Sequence, residues 1–191
     1  MIKSMIVRSG FAAVLLSLAA GMAAAQEFRA RLDGFFEVGA LNNESGAILT
    51  NGTGKLTLNV DQNSATYRLT YSGLTSNVIQ AHLHFGKIHV AGGIYVFLCT
   101  SASVSPPAPA GTPTCPPTGG TVTGTIVPAN ILAVPGQNIT AGDFGAMLAA
   151  LGSNTTYANI HTVNFPRGEI RGQVKHSEED EDEDHGRGRD R

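Results

Sequence analysis

The sequence predicts an all-β domain: an antiparallel sandwich or barrel carrying one short helix. Three observations carry this expectation. Two strictly alternating runs, KLTLNV at 55–60 and ATYRLTY at 65–71, flank the polar turn DQNS and read as a β-hairpin. Eight short apolar runs are separated by Gly- and Pro-rich turns. Only one stretch has helical periodicity.

Taken in order, the chain opens with a processing segment. Lys3 and Arg8 precede a small and apolar run, and Ala23, Ala24 and Ala25 offer the small-residue pattern of a signal-peptide cut. Residues 1–25 therefore read as a signal peptide, with an uncleaved anchor as the alternative. The apolar run is short of the about 20 residues that a membrane-spanning helix needs. No later stretch is as apolar. The expectation is a protein with no transmembrane segment after cleavage, secreted or periplasmic.

Residues 26–175 form the expected domain. Residues 27–38 (EFRARLDGFFEV) read as a strand with a bulge at Gly34. A Gly-rich loop leads to the hairpin. On that hairpin Leu56, Leu58 and Val60 share one face, as do Tyr67, Leu69 and Tyr71. Residues 80–85 (QAHLHF) and 94–99 (IYVFLC) follow, the second apolar on both faces. Further strands fall at 121–127, 156–163 (TYANIHTV) and 169–175 (EIRGQVK). The helix fits Phe144, Met147, Leu148 and Leu151, with Thr140 as N-cap, Asp143 reaching back to it and Gly152 just past its end. Its apolar stripe suits a lid on the sheet, with a partner-binding helix as the alternative.

Cys99 and Cys115 are the two cysteines, 16 positions apart. In an oxidising compartment pairing is the default, and two free thiols are the alternative. Between 26 and 175 the eight basic and seven acidic side chains give a net charge near +1. Such a balance leaves no electrostatic footprint for nucleic acid. Residues 176–191 differ in character. Seven consecutive acids, EEDEDED, precede HGRGRDR, and such a block predicts a disordered tail. The tail reads as solubilising, with loose cation binding or a basic partner as alternatives. Asn43, Asn51, Asn138 and Asn154 begin Asn-x-Ser/Thr sequons in expected loops.

Candidate chemistry concentrates in the histidines. On a strand alternate side chains share a face, so His82 and His84 point one way while Ala81 and Leu83 point into the core. By the same rule Asn159 and His161 face away from Ala158 and Ile160. Pairing of the two strands would bring three imidazoles onto one outer patch, with Glu169 and Arg171 on a common face beside it. Three ring nitrogens suit copper or zinc. The alternative is a hydrogen-bonded polar cluster that fixes strand register, and for Glu169 and Arg171 a structural ion pair. No catalytic triad order, phosphate loop or paired carboxylates are present, so a non-enzymatic role is expected.

Three segments carry a family resemblance. LDGFFEV (32–38), AHLHFG (81–86), and YANIHT followed by PRGEIRGQ (157–162 and 166–173) resemble, in order, motifs of the CHRD (chordin-type) domain. The Pro-Pro that usually follows Glu-Val is absent, with Gly39 and Ala40 in its place. The resemblance implies an immunoglobulin-like, superoxide-dismutase-like β-sandwich. The dismutase copper site is similar to His82, His84 and His161 with a nearby Arg. Its zinc loop has no counterpart, and His89 is a poor substitute. The resemblance thus implies a mononuclear centre at most. It implies no settled function; the fold and the absence of a catalytic signature lead to the expectation of an exported, non-enzymatic binding module for an extracellular protein, a glycan or a surface, with a mononuclear copper- or zinc-binding protein as the alternative.

Overall fold

The computed structural model describes residues 25–38, 46–101 and 108–177. The expected signal peptide up to residue 24, the sequon at Asn43 and the acidic tail from residue 178 lie outside the described residues. The described strands are β1 (Gln26–Asp33), β2 (Thr53–Val60), β3 (Ala65–Ser72), β4 (Val78–Phe85), β5 (Gly93–Thr100), β6 (Gly120–Ile126), β7 (Thr156–Thr162), β8 (Ile170–Gln173) and β9 (Lys175–His176). One helix, α1 (Phe144–Gly152), joins them.

The all-β antiparallel class with one short helix holds. Its two layers come from a single folded sheet and not from two separate ones. The strand order is β5-β4-β7-β8-β1-β2-β3-β6, with β9 attached to β1. Strand twist accumulates across so many strands, and the sheet curls onto itself. The curl brings β3 against β5, where Tyr67 Oη donates to the Leu98 carbonyl at 2.6 Å.

The hairpin forms as the alternation predicts. Val60 pairs with Ala65, Leu58 with Tyr67 and Leu56 with Leu69, and all six are buried. Facing them inside the curl are Phe28, Ala30 and Leu32 from β1, Ala81 and Leu83 from β4, and Ala158 and Ile160 from β7. Phe144, Met147 and Leu151 of α1 join the same core, as the lid reading requires.

Local boundaries differ from expectation in several places, among them the last expected strand, 169–175, which is split into β8 and β9. The first strand ends at Asp33, and Gly34–Phe36 form a 3-10 turn in place of the bulge. Asp33 Oδ1 accepts from Phe35 N at 2.9 Å and so closes that turn. A side chain at Gly34 would lie 2.3 Å from the Ile48 carbonyl oxygen, so glycine is required there. Asp143, not Thr140, caps α1, accepting from Ala146 N at 2.8 Å. Gly142 turns the chain at φ +82 just before it, which prevents an earlier helical start. Gly152 closes the helix as its last residue, with Ser153 as the C-cap. The ordered chain also runs past residue 175, because His176 pairs with Phe28.

Cys99 and Cys115 form a disulfide, with Cα atoms 5.0 Å apart. Among the described residues no helix is long and apolar enough to cross a membrane.

Candidate metal centre

β4 lies between β5 and β7. Against β7 it pairs Gln80 with His161, His82 with Asn159 and His84 with Tyr157. His161 is therefore a diagonal neighbour of His82, within reach across the pleat. Against β5 the register of β4 slips between Ala81 and His82 and again between Leu83 and His84. Such irregularities re-aim side chains. The strand pairing that alternation required is present, and it brings the three imidazoles together. One nitrogen from each lies within 4.8 Å of the others.

The expected outer patch is in fact buried. His82 is 1% exposed, His84 7% and His161 9%. Phe97 meets His82 edge-on at 4.4 Å, and Tyr157 stacks on His84 at 4.6 Å with rings nearly parallel. Backbone from two loops covers the rest. Tyr157 shares β7 with His161, whereas Phe97 and the loop carbonyls reach the rings through strand register and loop path, which alternation does not reveal.

Hydrogen bonding fixes the tautomers. A carbonyl can only accept, so His84 Nδ1–H donates to the Gly92 carbonyl (3.0 Å) and His161 Nδ1–H to that of Pro166 (3.1 Å). The Nε2 atoms of both rings are thereby left as lone pairs. His82 Nδ1 lies 3.1 Å from His161 Nε2 and must carry the proton between them. Nε2 of His82 and of His84 is buried without a hydrogen-bond partner. Burial, before any other cause, holds His82 well below the usual histidine range. It likewise lowers His84 to about 3 and His161 to about 4. At neutral pH the cluster is three uncharged imidazoles, with one nitrogen of each within 4.8 Å of the others.

Backbone carbonyls that orient the far nitrogen of a histidine are the usual support of a metal ligand. Two metal–nitrogen bonds of 2.0–2.1 Å at a tetrahedral angle place their nitrogens about 3.3 Å apart, and at a right angle about 2.9 Å. With the His82 proton moved from Nδ1 to Nε2, His82 Nδ1 and His161 Nε2 both offer lone pairs, and their 3.1 Å separation falls between these values. The residues thus fit a transition-metal ion.

The expected neighbours divide. Asn159 is buried beside the cluster, and its Nδ2 donates to Glu37 Oε1. Arg171 donates to the carbonyls of Lys87 (3.1 Å) and Val90 (3.0 Å) and lies 3.4 Å over the Tyr157 ring. It therefore braces the loop that carries Gly92, the partner of His84. Glu169 does not pair with Arg171. Its oxygens accept from Thr50, Thr75 and Thr162, and it is fully buried. Glu169 precedes the first residue of β8 and follows Gly168, whose φ is +132, so strand alternation does not govern its direction. His89 is exposed and stays outside the cluster.

Three neighbours were not expected as site residues. Tyr157 shares the β7 face of Asn159 and His161, a relation the alternation already contained. Phe97 is the β5 partner of His82, which requires the register to be known. Glu37 is 3% exposed, and burial pushes its carboxyl up to about 8, against the pull of Arg171. In the sequence Glu37 stands out only as part of the opening motif.

Fold and site together define an all-β domain with a buried three-histidine candidate centre. The family model for the CHRD domain matches residues 28–174. The chain belongs to the CHRD domain family. Neither a curated protein nor a solved structure matches it.

Proposed function

We propose that this CHRD domain is an exported, non-enzymatic binding module whose ligand is one copper or zinc ion, held by His82, His84 and His161. The observation that carries this reading is the cluster of three buried rings, one nitrogen of each within 4.8 Å of the others, in which two ring nitrogens have no hydrogen-bond partner. A purely structural polar network would satisfy its nitrogens, because an unpaired buried polar atom costs about 1–3 kcal/mol. Export is supported by the Cys99–Cys115 disulfide, which suits an oxidising compartment. Imidazole sets generally favour Cu²⁺ over Zn²⁺.

The test is a titration of the mature chain with Cu²⁺ and Zn²⁺ beside a His82→Ala, His84→Ala double variant shown to be folded. One tight site per chain, stronger for copper and lost in the variant, is expected. Equal affinity in both proteins would remove the metal reading.

A second reading adds a protein or glycan partner. It is favoured by exposed apolar side chains, among them Phe35 at 65% and Leu49 at 86%. Scattered apolar exposure is common, so the metal reading stands first.

A further inference from the structure

Three neutral imidazoles bring no negative charge to a divalent ion. Arg171 adds a positive charge in the same wall. A buried excess of positive charge is costly unless a counter-charge appears. Glu37 is the carboxyl built into that wall, and it is packed in an unusual way.

We propose that Glu37 is held as a neutral acid, closed into a two-hydrogen-bond ring with the Asn159 carboxamide, and releases its proton when a cation occupies the His82–His84–His161 cluster. The proposal rests on the metal reading above and extends it to the regulation of the same site.

Geometry supports the ring. Asn159 Nδ2 donates to Glu37 Oε1. Asn159 Oδ1 is buried and meets no donor. A proton on Glu37 Oε2 supplies the missing donor, and the acid–amide pair then satisfies all four atoms. Gly168 makes room for the ring, because a side chain there would lie 2.6 Å from Glu37 Oε2 and 2.7 Å from Asn159 Nδ2.

The charged and titratable groups acting on Glu37 come from two elements. Arg171 on β8 favours the carboxylate, and Tyr157 on β7 is coupled to both. The Val38 N–H also favours the carboxylate, yet burial outweighs all of these and the midpoint sits at about 8. One further positive charge is enough to tip it.

Asn159 is the cross-strand partner of His82 and shares a β7 face with His161. Strand spacings then place the carboxyl on the order of 10 Å from the ion. A divalent charge at that distance pulls the midpoint down through neutral pH. At pH 7 the exchange releases roughly half a proton or more per ion to solvent. The carboxyl O–H supplies that proton, and each imidazole keeps its one N–H.

The test uses Zn²⁺, which has no redox chemistry, and calorimetry of the full mature chain at pH 7 in buffers of different ionisation enthalpy. Heat remaining in the double-histidine variant is subtracted as binding elsewhere. The wild type is expected to release roughly half a proton or more, while Glu37→Gln releases none and binds several-fold more weakly. A second measurement needs no variant: the infrared band of a protonated glutamate, assigned by ¹³C-glutamate labelling, is present without zinc and disappears with it. Zinc binding without proton release, equal release by Glu37→Gln, or a band that persists would overturn this proposal alone. A chain that binds no zinc overturns the metal reading and this proposal together.

Discussion

Replacing Glu169 by alanine separates a structural clamp from a metal-site neighbour. Glu169 Oε1 accepts from Thr50 Oγ1 (2.7 Å) and Thr75 N (2.9 Å). Its Oε2 accepts from Thr75 Oγ1 (2.9 Å) and Thr162 Oγ1 (2.7 Å). Four donors converge on a side chain with no exposed surface, and they tie two loops to β7. Alanine leaves all four donors without an acceptor. Single orphaned donors cost about 1–3 kcal/mol each, but relaxation and water entry make such costs sub-additive. Removal of a buried, multiply bonded carboxyl therefore costs about 3–5 kcal/mol. At about 2–4 °C per kcal/mol, Tm falls by roughly 6–20 °C.

Glutamine at the same position is informative. Its oxygen keeps the Thr75 N–H, which cannot reverse direction, and its amide faces two hydroxyls that rotate to accept. The expected cost is about 1–2 kcal/mol. Neither variant should change metal affinity, since no imidazole touches Glu169. The assay is thermal and urea unfolding of the disulfide-intact domain, followed by copper titration at a temperature where each variant is folded. A loss below about 1 kcal/mol for alanine, against the range above, would refute the clamp. So would a glutamine variant as unstable as the alanine one.

Stability should depend on pH with a maximum near 6.5. The depressed histidines bind protons only after unfolding, so stability falls as pH drops from the unfolded midpoint of 6.5 toward about 3–4. Glu37 acts oppositely, holding its proton in the fold, so stability falls as pH rises toward about 8. Urea unfolding of the metal-free domain across this range checks both limbs, and Glu37→Gln should flatten the alkaline one. Cys99→Ser with Cys115→Ser opens a 15-residue loop and should cost about 3 kcal/mol, read as a lower urea midpoint without loss of metal binding. Gly168→Ala places a side chain against the Glu37–Asn159 contact at φ +132 and should cost about 1–3 kcal/mol, measured by thermal unfolding.

Much of the fold was legible because the hairpin and the histidine strands alternate cleanly. Leu56, Leu58, Tyr67 and Leu69 announce their face by period alone, and so do His82, His84 and His161. Alternation assigns a side chain to a face but does not say what lies over that face. The cover of Phe97 and two loop carbonyls depends on strand register and loop path, which period does not encode, so an expected surface patch is an interior site. Turn geometry was the other blind spot. Asp33 and Asp143 take up local side-chain-to-backbone bonds that end a strand and start a helix. Glu169 fails the alternation rule because the strand has not yet begun when the chain passes it.

Among the described strands the sheet curls without a ladder between its outermost members, β5 and β6, and so keeps two lateral borders. Unused borders recruit other chains. Here the Cys99–Cys115 disulfide holds Thr114 beside Thr100 on the β5 border, where the Pro113 carbonyl and the Cys115 N–H take up the backbone groups of Thr100. It works as a hem, and loosening it would open that border to pairing with another chain.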